Sequence, residues 1–162
     1  MVDNKSDAEL TLFLKNERSS KQFAIQLANF LPQAAILTLS GEIGSGKTTL
    51  IRAILKQLGV TTSIKSPTFS LVESYQCLGR VVHHFDLYRI NHEDELEYIG
   101  FRDYIGQDSL CFIEWPEQAG DLLPPIDIKI NLKIERAGRR LQLLAFTAIG
   151  KHILSGLKGP FS

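Results

Sequence analysis

Residues Gly41-Glu42-Ile43-Gly44-Ser45-Gly46-Lys47-Thr48 carry the pattern G-x-x-x-x-G-K-[ST], the spacing of a loop that cradles phosphate groups. Glycines let successive backbone N–H groups turn inward around an anion with no Cβ in the way. The helix that such a loop opens aims its positive dipole end at the same anion. In this pattern Lys47 reaches the β- and γ-phosphates of a nucleotide and the Thr48 hydroxyl ligates Mg²⁺. The candidate nucleotide contacts are therefore Glu42, Ile43, Gly44, Ser45, Gly46, Lys47, Thr48 and Thr49.

A nucleotide-bound Mg²⁺ also calls for a carboxylate at the end of a neighbouring apolar strand. Asp86 ends the run Val81-Val82-His83-His84-Phe85, and Glu114 ends Leu110-Cys111-Phe112-Ile113. The unbroken apolar run favours Glu114, and both acids lie near the metal if both strands flank the phosphate-loop strand. The candidate catalytic set is Lys47, Thr48, Asp86 and Glu114, with Thr48, Glu114 and Asp86 on the metal side. The histidines offer no metal site of their own. His83 and His84 are neighbours in a strand and point to opposite faces, and His92 and His152 have no partner at ligand spacing. All four are expected to be satisfied or solvated. Asn4-Lys5-Ser6-Asp7 and Asp103-Tyr104-Ile105-Gly106 imitate guanine-nucleotide motifs, but neither follows a buried strand, so GTP specificity is not expected.

The elements that must hold these groups are legible from periodicity. Ala35 to Leu39 is a short buried strand, and Leu50, Ile51, Ile54, Leu55 and Leu58 make one helical face ending at Gly59. Before them come a strand over Glu9–Lys15 and a helix with the stripe Phe23, Leu27, Phe30 and Leu31. Ser19 or Ser20 is the expected cap and Pro32 the stop. Thr68–Tyr75 and Val81–Tyr88 read as a hairpin, and Asn91 as the cap of a short helix with acids in its first turn. Asp127–Ile134 and Arg140–Thr147 read as a second hairpin around Ala137-Gly138, with alternation that leaves one face wet. Lys151–Leu157 suggests a terminal helix turn, and the Gly159-Pro160 end is expected to fray.

With 162 residues, 44% hydrophobic and 22% charged, the chain reads as one globular domain over residues 1–162. Its formal net charge of +0 speaks against gripping nucleic acid through a basic field of its own. Cys77 and Cys111, the two cysteines, form no C-x-x-C and read as buried free thiols. The polar, acidic Met1–Asp7 stretch does not resemble a secretory signal, and no apolar run approaches the ~20 residues of a membrane span. A reducing cytoplasm is the expected compartment.

Four segments together resemble one family, the bacterial TsaE proteins, small ATPases of tRNA threonylcarbamoyladenosine synthesis. They are residues Leu39 to Leu50, then Ser66-Pro67-Thr68-Phe69, then His84-Phe85-Asp86-Leu87-Tyr88-Arg89, then Ile113-Glu114-Trp115-Pro116-Glu117. They stand in the family's order, with Ser45 where the family often has Ala. The resemblance implies an α/β, three-layer P-loop NTPase-like fold with a mixed sheet and antiparallel hairpins at one edge. It implies ATP or ADP with Mg²⁺ at residues 44–49, metal-side roles for Thr48, Asp86 and Glu114, and a mobile Ser66–Phe69 segment over the nucleotide. It further implies work with a threonylcarbamoyl-transferase subunit and its paralogous partner, proteins of the TsaD and TsaB type, with tRNA met only indirectly.

The residues agree with that expectation. A phosphate site without an acceptor-substrate motif makes sense as a nucleotide-dependent switch, weak in hydrolysis alone and stronger with a partner. A small-molecule kinase is the rival, with Arg89 and Arg102 as its only candidate lid arginines. A nucleotide-binding module that no longer hydrolyses is the third reading.

Overall fold

A computed structural model describes residues 5–64, 71–105 and 108–157. The expected Ser66–Phe69 segment, the first residues of the expected Thr68 strand and the Gly159-Pro160 end lie outside the described residues.

The chain runs β1 (Ala8–Leu14), α1 (Glu17–Phe30), β2 (Ala35–Ser40), α2 (Lys47–Gln57), β3 (Val72–Cys77) and β4 (Arg80–Asp86). It continues with α3 (Asp94–Tyr98), α4 (Phe101–Tyr104), β5 (Leu110–Glu114), a 3-10 segment (Pro116–Leu122), β6 (Ile128–Glu135), β7 (Gly138–Ala145) and α5 (Ala148–Gly156). The seven strands form one mixed sheet in the order β1-β7-β6-β2-β5-β4-β3. β6, β2, β5 and β4 run parallel. β7 and β1 add on antiparallel at one edge, and β3 pairs antiparallel with β4 at the other. The phosphate-loop strand β2 thus has β5 on one side and β6 on the other. The crevice beyond its carboxyl end is where ligands bind in open α/β sheets.

Helices cover both faces, giving three layers. Phe23 and Leu27 of α1, Ile51, Ile54 and Leu55 of α2 and Ile153 of α5 pack on Leu37, Leu39, Phe112, Ile130 and Leu143. On the other face Leu96 and Phe101, from α3 and α4, pack with Phe85, Cys111 and Ile113. That second helical layer stops short of the β6–β7–β1 edge. There Asn131 donates to Gln142 at 3.0 Å and Gln142 to Glu9 at 2.8 Å, a polar ladder across three strands and the expected wet face. No helix among the described residues is long and apolar enough to cross a membrane.

Local expectations are corrected at four places. Asn16, not Ser19 or Ser20, caps α1, its Oδ1 accepting the Ser19 N–H at 2.9 Å while Ser19 itself is buried. Asn91 does not cap α3, because its N–H donates to Glu95 Oε2 at 3.1 Å and the helix starts three residues later. The β6–β7 turn consists of Arg136 (φ 56) and Ala137. Gly138 belongs to the strand, where a Cβ would come 2.4 Å from the Leu14 carbonyl oxygen. The terminal helix is longer than the expected turn, since Thr147 accepts the Gly150 N–H at 3.0 Å and starts α5 at Ala148.

Candidate functional site

The chain leaves β2 at Ser40 and enters α2 at Lys47, turning through Gly44 (φ 86) and Gly46 (φ 101). Both glycines are in the left-handed region, which a side chain would strain. α2 has no side-chain cap: the Gly46 carbonyl accepts the Leu50 N–H at 2.9 Å, and the N–H groups of the first turn have no acceptor within the helix. At the far end Gly59 (φ 101) stops α2 as expected.

Lys47 is buried, and its Nζ donates to the carbonyls of Gly41 at 2.6 Å and Glu42 at 3.0 Å. The same Nζ lies 4.5 Å from the centre of the Trp115 ring, a cation–π contact. Burial pulls the Lys47 amine below its ordinary pKa, against the opposing carboxylates of Glu114, Asp86, Glu117 and Glu42. Trp115 reaches this position because the chain reverses sharply after β5. It takes φ 58 and ψ 52 directly before Pro116, a costly conformation for a bulky residue.

Glu114 is 2% exposed and sits at the centre of the polar contacts. The Thr48 hydroxyl lies 2.9 Å from its Oε1 and 3.1 Å from its Oε2. His84 Nε2 lies 2.6 Å from Oε2 and is fully buried, while its Nδ1 has no hydrogen-bond partner among the described residues. His84, Asp86 and Glu114 share the α2 face of the sheet, since β4 and β5 run in register with Asp86 beside Glu114. His83 points the other way, onto Tyr104, with Ser74 Oγ at 2.7 Å from its Nδ1. Asp86 Oδ1 accepts the Tyr88 N–H at 3.1 Å. Burial raises the Asp86 carboxyl above its usual range. The Tyr88 N–H pulls it back, the neighbouring Glu114 charge pushes it further up, and His84 and Lys47 pull it down.

These groups line a cavity of about 620 Å³, within the range of a small-molecule site. Residues 43–49, Asp86, Glu114, Tyr88 and Trp115 form one part of its wall, and Leu14, Asn16, Glu17, Ser20 and Arg139 another. Of the expected contacts, Glu42 alone is not on the wall; its side chain is exposed and its carbonyl serves Lys47 and the Ser45 N–H. β5 lies next to β2 and β4 one strand further out, so Glu114 faces Thr48 directly while Asp86 faces Glu114. Arg89 and Arg102 are not on the wall, and Arg102 lies 4.0 Å from Glu97 at the surface.

Two residues enter that sequence reasoning did not assign. His84 holds Glu114, and Arg139 reaches the loop from β7, its Nε donating to the Ser45 carbonyl at 2.7 Å. The only local signal for His84 was its i, i+2 spacing from Asp86, which puts both on one face. Arg139 had no local signal.

The donor set suits the groups expected here. Two left-handed glycines, a helix N-terminus and a lysine suit phosphate. Thr48, Glu114 and Asp86 are hard oxygen donors, the kind Mg²⁺ takes. No group of three or more His, Cys, Asp or Glu among the described residues forms a self-contained metal cage. Mg²⁺ in nucleotide sites is held by one or two carboxylates together with substrate phosphates, so none is required.

Residues 14–141 match the family described as threonylcarbamoyl adenosine biosynthesis protein TsaE. The TsaE protein of Haemophilus influenzae is 40% identical over 151 residues, covering 90% of this chain and 96% of the relative. The TsaE protein of Bacillus subtilis is 33% identical over 135 residues, covering 83% of each chain. The crystal structure of Bacillus subtilis YdiB superposes with a TM-score of 0.77 over 91% of this chain and 93% of that one, at 23% identity, and so shares the fold. The phosphate loop, the Asp86 and Glu114 strand ends and these matches converge: the chain belongs to the TsaE family of threonylcarbamoyl adenosine biosynthesis proteins.

Proposed function

We propose that this protein binds and hydrolyses ATP in the biosynthesis of threonylcarbamoyladenosine in tRNA, acting as a nucleotide-dependent switch on the threonylcarbamoyl-transferase complex. The observation that carries the reading is the contact across the crevice: the Thr48 hydroxyl at the start of α2 meets the Glu114 carboxylate at the end of β5, 2.9 Å away. That contact joins the phosphate side of the site to its acid side.

The loop amides and the α2 N-terminus take the phosphates, and Lys47 leaves the carbonyls of Gly41 and Glu42 to neutralise the terminal phosphate. Thr48, Glu114 and Asp86 are the residues that would hold Mg²⁺, which would supply charge neutralisation on the phosphate oxygens. His84 holds Oε2 of Glu114, and the Thr48 hydroxyl meets both carboxylate oxygens. The base and ribose occupy the wall of Leu14, Asn16, Glu17 and Ser20. In hydrolysis a water oxygen bonds to the γ-phosphorus, the bond to the bridging oxygen breaks, and ADP and phosphate leave. The transferase subunit and its paralogous partner, of the TsaD and TsaB type, recognise the ATP-bound form, and tRNA is met through them. The formal net charge of +0 supports an indirect rather than a direct contact with tRNA.

Phosphate release is the test. The purified protein with ATP and Mg²⁺, and no acceptor, releases phosphate slowly, and faster when the transferase complex is added. Release that appears only with a small-molecule acceptor, the product carrying the phosphate, would instead make the protein a kinase.

A further inference from the structure

The phosphate loop is tied from outside by a side chain that no part of the loop pattern includes. Arg139 stands on β7 directly after Gly138, 94 residues beyond Ser45. Its Nε donates to the Ser45 carbonyl at 2.7 Å, its Nη2 to the Gly44 carbonyl at 3.4 Å and its Nη1 to the Gly138 carbonyl at 3.0 Å. All three guanidinium nitrogens are engaged with backbone. A Cβ built on Gly46 would lie 3.8 Å from Nε, so the guanidinium also packs against the loop at Gly46.

We propose that Arg139 is a positioning residue for the phosphate loop, holding the peptide planes 44–45 and 45–46 in one orientation through their carbonyls. This inference rests on the reading of residues 41–49 as a nucleotide site. In a trans peptide the C=O of one residue and the N–H of the next point in opposite directions. Anchoring the Ser45 carbonyl on Arg139 therefore turns the Gly46 N–H to the opposite side of the loop, while the Ser45 N–H, in the plane whose carbonyl is Gly44's, donates to the Glu42 carbonyl at 3.1 Å. Gly44 and Gly46 are the residues with the widest choice of backbone conformation, so an unanchored loop samples peptide orientations that present carbonyls to the phosphates instead. A planar fork fixes two planes at once, which a lysine, a single point charge on a flexible stem, does not. Ordering the loop before the ligand arrives lowers the entropic cost of binding. The same contact makes the β6–β7 hairpin part of the nucleotide site.

The test uses the full chain with Arg139→Lys and Arg139→Met, and a fluorescent N-methylanthraniloyl ADP and the matching non-hydrolysable ATP analogue as probes. Arg139→Met is expected to bind both probes roughly tenfold more weakly than the parent, equivalent to about 1.4 kcal/mol. Arg139→Lys is expected to fall between the two. Under turnover the loss appears mainly in KM rather than kcat. In nucleotide-free protein the amide NMR signals of Gly44, Ser45 and Gly46 broaden in Arg139→Met, a change that a fold-only role for the arginine would not confine to the loop. If the parent binds the probes and both variants bind as tightly, Arg139 has no positioning role and the nucleotide reading stands. If the parent itself binds neither probe, the nucleotide reading fails. Where Arg139→Met melts too early to assay, Arg139→Lys decides: parent-like affinity overturns the inference.

Discussion

Replacing Glu114 separates its chemistry from its place in the fold. Glu114 is 2% exposed and engages Thr48 at 2.9 and 3.1 Å and His84 at 2.6 Å. In Glu114→Gln the amide oxygen still accepts from His84 Nε2 and the amide NH₂ turns to the Thr48 oxygen. No buried group loses its partner, and stability stays within about 1 kcal/mol of the parent. Glu114→Ala is different. It leaves the fully buried His84 with no partner for either ring nitrogen among the described residues, because Nδ1 already has none. An orphaned buried polar group costs about 1–3 kcal/mol, and the vacated space adds to it. Relief from burying a carboxylate offsets part of this. At roughly 2–4 °C per kcal/mol for a chain of this size, Glu114→Ala melts roughly 5–10 °C below the parent. Both variants keep the loop amides and Lys47, so ADP affinity is retained, while phosphate release falls on the order of 100-fold or more. The assays are probe binding, phosphate release and thermal melting on the same three proteins. Parent-like phosphate release in Glu114→Gln would refute the role of Glu114. Loss of ADP binding in step with hydrolysis would make Glu114 structural and Asp86 the main metal acid.

Lys47→Ala is expected to abolish phosphate release, measured on protein free of contaminating ATPases, and parent-like release would overturn the site assignment. Trp115, the only tryptophan, lies 4.5 Å from Lys47 Nζ, so its emission is expected to shift as ADP and then a non-hydrolysable ATP analogue draw the lysine onto phosphate; an unchanged spectrum in both would count against a switch at that corner. The Cys111 thiol is fully buried, and burial raises its pKa from 9.0 to about 11, with the Ser109 hydroxyl pulling slightly the other way. The raised value favours the protonated thiol in the fold, so its contribution is fully present below pH 9 and is lost as pH climbs toward 11. That amounts to about 2–3 kcal/mol. Denaturant midpoints from pH 8.5 to 11 are expected to fall less steeply in Cys111→Ala than in the parent, and parallel slopes would show that the thiol is not the source.

The legible parts of the site were those written into short stretches of chain. The glycine spacing, the apolar run before Glu114 and the helical stripe of α2 each report on neighbours within a dozen residues, and the structure keeps all three together. What depended on register was not legible. His84 meets Glu114 only because β4 and β5 align Asp86 with Glu114, and Arg139 meets Ser45 only because β6 pairs with β2 and carries the β7 hairpin to the loop. Capping failed for a local reason. Asn16, Ser19 and Ser20 are all competent caps by type, and the helix begins at Glu17, which leaves both serines inside it. Gly138 misled as a turn signal because a glycine is also what a close crossing of strands requires, here against Leu14.

In the proposed function, the nucleotide state of the loop sets the affinity for the transferase complex. The direct measurement is a titration of the purified threonylcarbamoyl-transferase complex with this protein, saturated either with a non-hydrolysable ATP analogue or with ADP. A nucleotide shifts the association only as far as it binds the two conformations differently. Tighter binding with the ATP analogue is expected, by about 1–3 kcal/mol. Equal affinity in both states would contradict the switch, and no binding in either would contradict the proposed partner.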